Sequence, residues 1–250
     1  MAIINVSVKD FVATVELNRP EVRNAINLEM VRALTAELDA LSTNDDVRAL
    51  VLSGAGGKAF AGGADIAELK ARTHREAFFA INATLFQKLE DFPRPTIAAI
   101  DGFALGGGLE LALCCDIRVA SKAAKVGLPE TTLGIYPAAG GTWRLPRLVG
   151  LGRAKELVFT GRILDADEAF AIGLFEKLVD SGQALGAAQE MASLIATNAP
   201  LAVQVAKVSL NACARGQDPL SVEKLGQALL FDSPEKHDRM AAFLEKRAKK

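Results

Sequence analysis

The chain has 250 residues, half of them hydrophobic, with 29 basic against 30 acidic side chains and a formal net charge of −1. At this length one large domain can bury roughly 70–75% of its unfolded surface, and near-neutrality leaves no general electrostatic pull toward nucleic acid or an anionic membrane surface. No run reaches the about 18 consecutive apolar residues of a membrane span, so a soluble protein with neither nucleic-acid nor membrane partners is expected.

Met1 to Lys9 lacks the basic-then-apolar layout of a signal peptide and the Arg/Ser-rich layout of a transit peptide, which points to the cytoplasm. The three cysteines include the neighbours Cys114 and Cys115 and form no C-x-x-C pair, so they are expected to be core thiols in a reducing compartment. Ile3 to Val8 and Phe11 to Leu17 alternate as two strands joined by a tight turn at Lys9-Asp10. From Asn27, a suitable N-cap, apolar residues recur at Leu28, Val31, Leu34, Leu38 and Leu41 with helical spacing, and Ala49 to Ser53 follows as a buried strand. A glycine-rich loop from Gly54 to Gly63 leads to a helix starting near Asp65. A second helix is predicted through Phe78, Phe79, Leu85, Phe86 and Leu89, stopped by Pro93 and Pro95.

The strand Thr96–Ile100 is followed by Gly106-Gly107-Gly108 and a helix that carries Glu110 among Leu109, Leu111, Ala112 and Leu113. A strand near Ile117–Ala120 completes the unit. A carboxylate with apolar helix neighbours is costly unless something pairs with it or uses it, and glycines at a helix start leave N–H groups free to receive negative charge. The segment Gly127 to Gly141 is too broken by proline and glycine for long secondary structure, and it presents a second acid, Glu130. Beyond Ala184 the pattern is helical, with candidates at 184–198, 200–215, 218–232 and 234–249. The domain reading is an α/β core over 1–195 and a helical region over 196–250.

Several chemistries are disfavoured. Gly54-Ala55-Gly56-Gly57-Lys58-Ala59 fits the loose dinucleotide fingerprint, but the loop runs on through Gly62-Gly63 where a helix should begin. No G-x-S-x-G elbow or P-loop exists, and the two histidines, His74 and His237, stand in polar surroundings that suit the surface. A carboxylate mechanism remains, against which stand a core ion pair of Glu110 with Arg144 or Arg118 and a solvated or helix-start role for Glu130.

Joined in order, these pieces resemble the enoyl-CoA hydratase/isomerase (crotonase) family. The likeness runs through Leu17-Asn18-Arg19-Pro20 with Asn24-Ala25, Phe60 to Ile66, Ala104 to Ala112 and Gly127-Leu128-Pro129-Glu130. It continues through Gly134 to Pro137 and Gly140-Gly141-Thr142, and ends at Met240 to Arg247. The resemblance implies a crotonase-type α/β spiral of repeated ββα units with a helical C-terminal region that builds homotrimers or homohexamers. It implies an oxyanion hole from the backbone amides of Ala64 and Gly107, with Glu110 as general base and Glu130 as general acid in adding water across a trans-2-enoyl-CoA. It places coenzyme A, part of the substrate and not a cofactor, along Ala61, Gly62, Gly63, Ala64, Asp65 and Ile66, near Arg23, with Phe243 and Lys246 covering the nucleotide. No metal or other cofactor is implied. For Phe243 and Lys246 a plain helix with one packed and one solvated side chain fits equally. Trp143 and Ala138 depart from common family residues, which bears on the acyl pocket. The alternatives left open are another family reaction such as enoyl-CoA isomerisation, or a non-catalytic RNA-binding relative.

Overall fold

A computed structural model describes residues 2–248. The expected opening hairpin is present as β1 (Ile4–Lys9) and β2 (Val12–Leu17), paired antiparallel. Its turn is one residue later than predicted: Asp10 and Phe11 both adopt positive φ, 50° and 65°, the combination that matches the twist of a two-residue hairpin. Helix α1 (Leu28–Ser42) is capped as its sequence requires, with the Asn27 side chain accepting from the Met30 N–H at 2.9 Å.

The remaining strands fall into a repeating pattern. β3 (Ala49–Gly54) is followed by β4 (Ala59–Ala61), β5 (Thr96–Ile100) by β6 (Phe103–Leu105), and β7 (Ile117–Ser121) by β8 (Lys125–Gly127). The longer member of each pair enters a six-stranded sheet ordered β1-β2-β3-β5-β7-β10, where β10 is Lys177–Val179. The shorter member enters a four-stranded sheet ordered β4-β6-β8-β9, where β9 is Leu164–Asp165. Neighbours β3, β5 and β7 are parallel, as are β4, β6 and β8. Each turn of the chain therefore adds one strand to each sheet before its helix, which is the spiral of ββα units.

Two expectations need correction here. The stretch from Gly54 to Gly63 is not wholly loop, because it contains β4, and the triple glycine follows β6 and not Thr96–Ile100 directly. The predicted second helix is two, α3 (His74–Phe78) and α4 (Ile81–Glu90), after the short α2 (Ile66–Ala71). Ala80 breaks it with φ 46°, and Phe78 and Phe79 are 89% and 62% exposed instead of packed.

The long sheet is covered on both faces, so its central strands read as continuous apolar runs. In β3, Leu50 and Leu52 face the main core with Leu34, Phe60, Phe86 and Ile100. Ala49 and Val51 face the opposite way, onto Ala184, Ala188 and Ala192 of α9 (Ala184–Ala196). That stripe of alanines lets the helix lie close against the strands. The helices α10 (Pro200–Ala214), α11 (Pro219–Phe231) and α12 (Pro234–Ala248) follow, close to the predicted bounds; position 249, the expected end of α12, lies outside the described residues. A buried lysine pins α10 to the body: Lys207 Nζ donates to the Arg94 carbonyl at 3.0 Å and to Asp116 Oδ2 at 2.7 Å.

Cys114 and Cys115 are buried as expected, whereas Cys213 on α10 is exposed and is no core thiol. Both histidines are exposed. Among the described residues no single helix is long and apolar enough to cross a membrane.

Candidate active site

Helix α5 (Gly107–Leu113) starts where β6 ends, and its first turn is shaped by close packing on the preceding coil of the spiral. A Cβ on Gly108 would lie 2.0 Å from the Ala61 carbonyl oxygen, so only glycine lets the helix sit against β4. The same approach brings the backbones of Ala64 and Gly107 close together, since a Cβ on Gly107 would lie 3.4 Å from the Ala64 nitrogen. The first intrahelical bond of α5 is made by Glu110 N–H to the Gly106 carbonyl at 2.9 Å, and among the described residues neither the Ala64 nor the Gly107 amide donates to a backbone carbonyl outside regular elements. Gly107 opens α5 and Ala64 stands just before Asp65, the N-cap of α2, and backbone N–H groups at helix starts are the ones left without intrahelical partners.

Both amides line a cavity of about 560 Å³. Glu110 and Glu130 line the same cavity, although they come from α5 and from the 3-10 turn Pro129–Leu133 and are only 3% and 8% exposed. Glu110 is not a partner of Arg144 or Arg118, which instead pair with Glu90 and Glu176. Its Oε1 accepts from the Ala139 and Gly141 N–H groups, each at 2.8 Å. Burial raises the Glu110 pKa, and the Gly141 and Ala139 amides, then the Arg144 charge, oppose the rise. Glu130 has less support. Among the described residues its Oε2 has no hydrogen-bond partner, a Cβ on Gly106 would meet its Oε1 at 3.0 Å, and burial pushes its carboxyl up to about 7. Its own backbone N–H opposes that rise and the Glu110 charge adds to it. Glu130 does stand in the first turn of a 3-10 segment, as the helix-start reading has it, whereas the reading as a solvated charge fails because the residue is buried.

A buried acid held neutral costs stability as pH rises. The Glu130 value of about 7 in the fold exceeds the 4.5 of an ordinary glutamate, so the folded state binds this proton more tightly. The contribution is complete below about pH 4.5 and is lost as pH climbs toward about 7, at about 1.4 kcal/mol per pH unit at most. Glu130→Gln, which keeps the shape without the charge, should therefore be more stable than wild type by about 1–3 kcal/mol above about pH 7, and the advantage should shrink at about pH 5. Thermal melts of both proteins at the two pH values check this; a glutamine variant with the lower Tm at high pH contradicts it.

The other expected binding residues divide by position. Gly62, Gly63, Ala64, Ile66 and Gly107 line the cavity, whereas Ala61 and Asp65 do not. Ala61 is a fully buried strand residue, and Asp65 caps α2, accepting from Ala67 N–H at 3.1 Å while Arg19 approaches it at 3.4 Å. Arg23, at φ 56°, is exposed and receives the Gly62 N–H on its carbonyl at 2.8 Å, with its guanidinium over the Phe103 ring. Beside it, fully buried Asn24 ties the two coils together by donating to the Ala55 and Ala59 carbonyls. Phe243 and Lys246 lie on exposed α12 and do not line the cavity of this single chain. Ala138 lines the cavity; Trp143 does not, and packs on the Arg144 guanidinium instead, so it cannot narrow the pocket directly. The sequence reading missed an apolar wall of Leu69, Ile81, Leu133, Ile135 and Tyr136, with Arg72 also at the cavity. Those residues come from separate elements and carry no common spacing.

Comparison with known proteins agrees with this architecture. The family model described as enoyl-CoA hydratase/isomerase matches residues 7–250. The chain is 42% identical over 243 residues to a short-chain-enoyl-CoA hydratase of Clostridium acetobutylicum, covering 94% of this chain and 92% of that one. It is 41% identical over 239 residues to a crotonyl-CoA hydratase of Syntrophomonas wolfei, covering 94% and 92%. The crystal structure of an enoyl-CoA hydratase from Bacillus anthracis superposes with a TM-score of 0.94 at 38% identity, covering 98% of this chain and 97% of that one. With the family model spanning nearly the whole chain and relatives this close over nearly their full length, the chain belongs to the enoyl-CoA hydratase/isomerase family.

Proposed function

We propose that the protein is an enoyl-CoA hydratase that adds water across a trans-2-enoyl-CoA to give a 3-hydroxyacyl-CoA. The observation that carries this reading is the convergence of two free amides and two buried carboxyls of unequal support on one largely apolar cavity. The thioester carbonyl oxygen binds between the Ala64 and Gly107 amides, which take up the negative charge that grows on it; one such donor typically contributes about 2.7–4 kcal/mol in the transition state. Glu110, with two loop amides favouring its ionised form, removes a proton from water. The water oxygen bonds to C3 and the alkene electrons shift toward the carbonyl. Glu130, the carboxyl with an unpartnered oxygen and a pKa near 7, delivers its proton to C2. The product then holds both elements of water, and exchange with solvent returns the proton from Glu110 to Glu130.

No metal or redox cofactor enters these steps, because the polarised thioester stabilises the enolate-like charge. The apolar wall of Leu69, Ile81, Leu133 and Ile135 suits an acyl chain. Having both glutamates favours hydration over isomerisation, and a net charge of −1 speaks against an RNA-binding role. Residues 196–250 are proposed as the region that builds a homotrimer or homohexamer, since Leu210, Leu225 and Phe231 are more than half exposed there. Loss of the conjugated-thioester absorbance with crotonyl-CoA, and with longer enoyl-CoAs, tests the reading; no loss at any chain length refutes it.

A further inference from the structure

Arg144 is 4% exposed on α6 (Gly141–Val149), and a guanidinium is seldom buried so completely unless its donors are all engaged. Its Nε donates to Glu90 Oε2 at 2.7 Å and Nη2 to the same oxygen at 2.5 Å, while Nη2 also reaches Gln87 Oε1 at 3.3 Å. Nη1 donates to the Ala139 carbonyl at 3.0 Å. Ala139 is thus gripped from two sides: its carbonyl by Arg144, its N–H by Glu110. The next residue shows how tightly the loop is drawn over the guanidinium, because a Cβ on Gly140, at φ 120°, would lie 1.7 Å from Arg144 Nη1.

Glu90 is anchored in turn. It ends α4, whose Ile81 and Ala83 line the cavity, and α10 reaches it twice: the Arg215 guanidinium lies 3.2 Å from Glu90 Oε1, and Asn211 donates to the Glu90 carbonyl at 3.3 Å. An unbroken chain of charge-assisted bonds runs from α10 through Glu90 and Arg144 to the loop that presents the two amides to Glu110.

We infer that Arg144 and Glu90 are positioning residues for Glu110, holding the Ala139–Gly141 loop so that its amides aim the carboxylate at the reacting water, and that α10 steadies the pair through Arg215. The assignment rests on Glu110 being the base. It predicts damage to kcat more than to KM, because the Ala64 and Gly107 amides that would hold the thioester lie outside the disturbed loop. A lysine at 144 keeps the charge but cannot make the fork to Glu90 and the bond to Ala139 together, and displacements on the order of 1 Å cost about a hundredfold.

The test is crotonyl-CoA hydration by wild type, Arg144→Lys, Glu90→Gln and Arg215→Met, with kcat normalised to folded protein and Tm recorded. Expected are a fall in kcat of about tenfold to a hundredfold for Arg144→Lys, a smaller fall in the same direction for Glu90→Gln, and KM within about twofold in both. Arg215 is partly exposed, so Arg215→Met should fold, and a drop of about two- to fivefold in kcat at unchanged KM is expected. A folded Arg144→Lys with wild-type kcat overturns the inference; if that variant does not fold, unchanged kcat in Arg215→Met overturns it. Hydration that is lost in Glu110→Gln yet unaffected in these variants leaves the hydratase reading standing and removes only the positioning role. Wild type without hydration removes both.

Discussion

Glu110→Gln should lower kcat for crotonyl-CoA hydration by about 10²–10⁴-fold, the usual contribution of a positioned general base. Glutamine retains an Oε1 able to accept from the Ala139 and Gly141 N–H groups, so the loop and its link to Arg144 persist and the fold should be undisturbed. The proton affinity is what disappears. KM should change little, because in the proposed mechanism the thioester is held by the backbone amides of Ala64 and Gly107 and not by this side chain. Steady-state rates with a thermal melt alongside decide the matter: a folded variant within about tenfold of wild type means another group takes the proton from water.

The second large effect is on pH dependence. In the proposed mechanism Glu130 must carry a proton and Glu110 must not, so kcat/KM should be bell-shaped. On the alkaline side it should fall as pH rises through about 7, the value to which burial pushes Glu130, approaching tenfold per pH unit. On the acid side the limb belongs to Glu110, whose pKa is raised, so activity should fade above the range of an ordinary carboxylate. The two groups feel each other's charge, and the observed midpoints describe the pair. Glu130→Gln should lose about 10²–10⁴ in rate and also lose the alkaline limb. An alkaline limb that survives the substitution assigns it to some other group.

Where local chemistry dominates, the chain was legible. Asn27 and Asp65 announce the helices they cap, and Glu110 stood out because a carboxylate among leucines demands an explanation. Glu130 stood out as a second acid in a proline-broken loop and Gly107 within the triple glycine, the resemblance added Ala64 and the roles, and the cavity brings all four together. What stayed hidden is non-local. β4, β6 and β8 have three residues each, too few to display a period of two, and they exist because each lies beside the last. The break at Ala80 has no glycine or proline to signal it. Arg144 invited a pairing with Glu110, but Glu90 from α4 stands nearer and leaves Glu110 to the backbone, a competition invisible in one dimension. Trp143 drew attention as a departure from the common family residue and leans on Arg144 outside the cavity lining.

One consequence of the spiral concerns timing. Ala64 follows the strand pair β3–β4, Gly107 follows β5–β6, and Glu130 follows β7–β8, so the three belong to successive layers of the coil. No fragment that stops short of the third layer holds a complete set, and non-local pairing of parallel strands is slow to form. Regain of turnover during refolding should thus lag behind regain of helical signal, making the reaction itself a clock for the final closure of the chain.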